Sequence, residues 1–101
     1  MKNNENKLHL IRRPENLVVE LLNTAEHYYE EERFELAVNY YSQVLEFNAS
    51  LHDQTYALFM RGMAFRECGE ETKALTDWQK AHDLGFEHPL GIDLMEWALG
   101  R

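Results

Sequence analysis

The chain has 101 residues and sets 10 Lys and Arg against 18 Asp and Glu, a formal charge of −8. That length holds one small domain, and an acidic field of this size repels a phosphate backbone, so nucleic acid and an anionic membrane surface are excluded as expected partners. Cys68 is the only cysteine and cannot form an internal disulfide, and two prolines are too few for a collagen-like or disordered chain.

The opening residues 1–13 are polar and basic apart from Leu8, Leu10 and Ile11, and read as a flexible arm preceding a helical domain over residues 14–101. They lack the apolar core of a signal peptide, and no run of about 18 apolar residues occurs, so a cytoplasmic protein is expected. Pro14 suits the first turn of a helix, where its missing N–H is no loss. From there Leu17, Val18, Leu21, Leu22, Ala25, Tyr28 and Tyr29 recur at helical spacing, predicting a helix of about four turns. The acidic residues 30–32 interrupt it. Phe34, Ala37, Val38, Tyr41, Val44, Leu45 and Phe47 then resume the period in a second helix.

"NASLHD" is a polar break, with Asp53 expected as the N-cap of a third helix carrying Tyr56, Leu58, Phe59, Gly62, Met63 and Phe65. Gly69 stands where a left-handed residue ends that helix. Gly85 does the same for a fourth, which carries Leu75, Trp78, Ala81 and Leu84. "FEHP" connects to "LGIDLMEWALGR", predicted as a last helix that is apolar on nearly every side. No strand-like alternation appears, and the predicted class is all-α.

A shift of 37 positions superposes the chain on itself: Leu21 on Leu58, Ala25 on Gly62, Tyr28 on Phe65, Ala37 on Ala74, Tyr41 on Trp78 and Val44 on Ala81. These residues resemble the tetratricopeptide repeat (TPR) family, a 34-residue helix pair with the pattern W-x2-L-G-x2-Y…A-x3-F…P. A third, half-length copy runs through Ile92, Met95, Glu96 and Leu99, 34 residues after Leu58, Arg61, Gly62 and Phe65. The departures are Ala49 and Phe86 in place of the repeat-ending proline, and Glu96 where a small residue is usual. The small residues Gly62 and Ala74 are expected where the helices of a pair cross, with Phe65 and Trp78 filling the space beside them.

The resemblance implies a short α-solenoid of two TPR helix-turn-helix repeats plus a C-terminal capping helix. It also implies a concave groove lined by the first helix of each repeat, which binds a protein or peptide. The positions it assigns to that groove are Val19, Leu22, Glu26 and Tyr29, then Tyr56, Phe59, Met60, Met63 and Arg66, then Leu90, Leu94 and Trp97. The Lys and Asn of the chaperone-tail clamp are absent, since Leu22, Glu26 and Met60 stand there. The groove is mostly apolar, and large apolar patches are seldom left bare. Its expected occupant is a second copy, in a homodimer, or an amphipathic or extended segment of another protein. The alternative is that the arm or the terminal helix folds over it.

No catalytic constellation, cofactor motif or complete metal-ligand set is present. His27 with Glu30 and Glu31, and His82 and His88 near Asp83 and Glu87, have spacings that a metal site would use. Solvated helix ends are the plainer account of both. Cys68, beside a helix-ending glycine, reads as a small part-buried hydrophobe. The expected function is therefore a non-catalytic interaction module.

Overall fold

The computed structural model describes residues 14–100. The arm and Arg101, and with them the expectations for Leu8, Leu10 and Ile11, lie outside the described residues. Among the described residues five helices follow one another, α1 (Pro14–Glu30), α2 (Phe34–Glu46), α3 (Leu51–Glu67), α4 (Glu71–Asp83) and α5 (Leu94–Ala98), with no strand. The all-α class read from the period is the class observed. Each helix packs mainly on the next, so α3 lies between α2 and α4. It is buried around much of its circumference through Thr55, Ala57, Leu58, Phe59, Gly62 and Ala64.

The core has two lobes. One gathers Val18, Ala25, Ala37, Tyr41, Val44, Ala57 and Ala64 from the first three helices. The other gathers Leu58, Phe59, Ala74, Trp78, Ala81, Leu94 and Ala98 from the last three. Leu45 and Met60 pack against both, making the lobes continuous.

The internal repeat reappears in the turns. Arg33 N–H donates to Tyr28 O at 2.8 Å and Glu32 N–H to Tyr29 O at 2.9 Å. Thirty-seven residues on, Glu70 N–H donates to Phe65 O at 2.8 Å and Gly69 N–H to Arg66 O at 3.0 Å. Both are Schellman helix ends, which satisfy carbonyls that the helix leaves unpaired. Gly69 holds the left-handed position at φ 81°, but in the first copy that position falls to Glu32, at φ 62°. A side chain with a Cβ is disfavoured there, so this turn carries strain that its counterpart lacks.

Two boundaries differ from expectation. The cap of α3 is Ser50, whose Oγ accepts from Asp53 N–H at 3.1 Å. The helix therefore starts three residues early and places Asp53 in its first turn, where its charge complements the dipole. The C-terminal segment is mostly not helical. Pro89 and the left-handed Gly91 (φ 75°) break it, and Asp93 restarts a short helix by accepting from Glu96 N–H at 3.0 Å.

The small-residue expectation is refined in a similar way. Ala74 and Gly62 are buried. What occupies the space at Gly62 is the indole of Trp78, whose Nε1 donates to Phe59 O at 3.1 Å.

Candidate interaction groove

Two groups of side chains emerge from the positions assigned to the groove. The first is closed. Phe59 is only 8% exposed, stacked on Phe86 with ring centroids 4.8 Å apart and planes 19° apart. His88 and Trp97 also reach Phe59 with their rings, at 5.7 and 5.8 Å. Trp97 in turn meets Trp78 edge-on at 5.1 Å. Leu94 is buried. Arg66 lays its guanidinium 4.4 Å from the Trp78 ring centre and 5.5 Å from that of Trp97, and donates to Ala98 O at 2.9 Å.

Phe59, Leu94 and Trp97 are thus core or near-core residues rather than open groove lining, and Arg66 clamps the segment that covers them. The physical cause is the break at residues 89–91. It lets the chain turn back and lay its aromatic residues over α3, burying apolar surface that a continuous helix would have left bare. Leu90 falls on the turn itself and is 77% exposed.

The second group is open. On α1, Val19 is 54% exposed, and Leu22, Glu26 and Tyr29 are half-buried. On α3, Tyr56, Met60 and Met63 are half-buried. The two helices are joined here by the Tyr56 hydroxyl, which donates to Glu26 Oε2. Tyr29 packs edge-on to Phe34, with centroids 5.1 Å apart.

Electrostatics make this region distinct. Burial first, then the hydrogen bond to Glu26 and the charges of Glu26 and Glu30, push the Tyr56 hydroxyl above its ordinary pKa. Burial and the Glu67 charge do the same to Tyr29. Beneath them Tyr41 of α2 is fully buried, and its hydroxyl has no hydrogen-bond partner. Burial raises its pKa most, followed by Tyr56, Glu26, Tyr29 and Glu30.

The histidines whose spacing a metal site would use, and Cys68, lie apart from one another. His27 of α1 pairs with Glu31, just beyond the end of that helix, at 3.1 Å. His82 Nε2 lies 3.6 Å from Asp93, whereas His88 Nδ1 accepts from Leu90 N–H at 3.1 Å. Among the described residues no three His, Cys, Asp or Glu side chains are grouped to hold a metal ion. Cys68 is exposed, and partial desolvation together with Glu35, Glu70 and Glu67 pushes its thiol up, which opposes thiolate formation. No helix among the described residues is long and apolar enough to cross a membrane.

One polar assembly joins residues that no sequence motif links. Arg61 donates from Nε to Asp77 Oδ2 at 2.8 Å, from Nη2 to Asp77 Oδ1 at 2.7 Å, and from Nη1 to Ser42 Oγ at 3.0 Å. Asp77 is 4% exposed. The pair ties α2, α3 and α4 together. Its signal was present: Asp77 falls within the apolar stripe of Ala74, Trp78 and Ala81, where a charge has to find a partner.

Comparison with protein-family models, with curated proteins and with solved structures returned no match.

Proposed function

We propose that the chain is a TPR-like protein–protein interaction module, in which α1–α2 and α3–α4 are two helix pairs and α5 is the cap. Its groove between α1 and α3 takes an amphipathic or extended segment of another polypeptide. The observation that carries this reading is the 37-residue repeat, present in the side chains and again in the hydrogen bonds of the two helix turns. Repetition of one helix pair is how solenoids build a concave binding surface. Val19, Leu22, Tyr29, Met60 and Met63 supply partly exposed apolar and aromatic surface of the kind that accepts helices. The polar groups that come together, Arg61 with Asp77 and Ser42, and Tyr56 with Glu26, are engaged in joining helices, which favours a non-catalytic role.

Self-association is the second reading. It draws on the same surface, but Phe59, Leu94 and Trp97 are covered within the chain and leave a second copy less to bury. The test is fluorescence anisotropy with a labelled amphipathic peptide of leucine and glutamine, alongside light scattering across micromolar concentrations. Peptide binding that Val19→Glu with Met63→Glu abolishes, at unchanged helical circular dichroism, supports the module. A dimer that the same variant dissociates moves the occupant to a second copy. A monomer that binds no peptide refutes the reading.

A further inference from the structure

The floor of the α1–α3 groove carries a feature that an apolar groove does not need. Tyr41 is fully buried, and its hydroxyl is the only buried side-chain nitrogen or oxygen among the described residues without a hydrogen-bond partner. Such a group costs about 1–3 kcal/mol, and phenylalanine would fill the same space without that cost. Tyr41 belongs to the buried cluster against which Leu22, Tyr29, Tyr56 and Met60 pack, so its ring lies beneath the side chains that α1 and α3 contribute to the groove. Directly there, Tyr56 donates to Glu26 and occupies one of the carboxylate's several acceptor positions.

We propose that this floor receives the ammonium or guanidinium of a lysine or arginine side chain carried by the segment that occupies the groove. The inference rests on the groove reading above and adds the chemistry of its partner, a basic apolar segment. The cation takes the acceptor positions that Tyr56 leaves open on Glu26, gains the charge of Glu30, and lies against the tyrosine rings. Charge-assisted bonds and ring faces together are what hold a cation at a protein surface. The Tyr41 hydroxyl, enclosed beneath the packed side chains, joins the same set of bonds when Tyr56 and Tyr29 part to admit the cation.

Charge complementarity extends beyond the pocket. Four of the ten Lys and Arg residues and one of the eighteen acidic residues fall within residues 1–13, leaving six bases against seventeen acids in residues 14–101, a formal charge of −11. A field of that sign draws a basic segment in.

The experiment compares the leucine–glutamine peptide with one in which lysine replaces glutamine, both read by anisotropy on the full chain. The lysine peptide binds roughly tenfold more tightly, and Glu26→Gln with Glu30→Gln removes that advantage. Glu46→Gln with Glu87→Gln removes the same charge elsewhere and preserves it. Tyr41→Phe narrows the advantage at least threefold while retaining the helical circular dichroism. Equal binding of the two peptides overturns the cationic pocket and leaves the groove reading intact, whereas binding of neither overturns both. An advantage lost equally in the control pair assigns the effect to the general field and overturns the site. An advantage that Tyr41→Phe leaves unchanged does so too. If Lys7→Gln with Arg12→Gln and Arg13→Gln tightens binding of the lysine peptide, the chain's own first residues are the occupant and the partner is overturned.

Discussion

The indole of Trp78 occupies the space that a side chain at Gly62 would need. A Cβ built there would come within 2.8 Å of Trp78 Cδ1 and closer still to Nε1. The ring is held in place by the bond from Nε1 to Phe59 O, and it supports Trp97 and Arg66 from below. Gly62→Ala should therefore destabilise by at least the 1–3 kcal/mol typical of overpacking, although alanine is the better helix former. Ala74→Leu, at a fully buried position, should cost a similar amount. Urea denaturation monitored by circular dichroism checks both, and an unmoved midpoint for Gly62→Ala would contradict the packing described.

Asp77 and Arg61 form a pair whose removal depends on how it is done. Asp77→Ala strands a guanidinium that is 23% exposed at its side chain, and should cost about 3 kcal/mol. Arg61→Met with Asp77→Leu removes both charges and should cost less than that single change. A double variant that costs as much as Asp77→Ala or more would show that the stranded guanidinium carries no penalty of its own.

Tyr41 predicts a response to alkali. Its folded pKa is raised above the ordinary 10.0, chiefly by burial, so ionisation favours the unfolded chain. The stabilisation is complete below about pH 10 and is lost as pH rises beyond it. Tyr41→Phe should be neutral or stabilising at pH 7 and should flatten the alkaline decline. Tyr56 and Tyr29, raised in the same direction, retain part of the slope. Melting temperatures measured across alkaline pH in wild type and variant decide it.

Glu32 holds a left-handed backbone that glycine adopts freely, as Gly69 does in the second turn. Glu32→Gly should raise stability by up to about 1 kcal/mol, the relief of strain exceeding the added freedom of the unfolded chain. A fall in stability would show that the Glu32 side chain has a role that outweighs its backbone.

Ser50 caps α3 and Asp53 does not. Ser50→Ala should cost about 1 kcal/mol, and Asp53→Ala less, since only its charge near the helix start is lost. Denaturant midpoints of the two variants separate these costs.

The sequence by itself determined the four long helices, because an apolar period of three and four residues leaves no other way to bury one face. It also determined the repeat, since the same small and aromatic residues recur 37 positions apart, and the helix ends at Gly69 and Gly85, where a left-handed backbone has a visible residue preference. What only the tertiary structure decided was contact between residues distant along the chain. Residues 90–101 carry a helical pattern, but Gly91 turns the chain back. Phe59 then acquires Phe86, His88 and Trp97 as neighbours, which divides the positions assigned to one groove into a closed aromatic cluster and an open face. Periodicity records which side of a helix is apolar, but not which segment will cover it. The buried pairing of Arg61 with Asp77 and the unpartnered Tyr41 hydroxyl are likewise properties of three helices at once. A hydrogen bond depends on distances of a few tenths of an ångström, which only the packed chain sets.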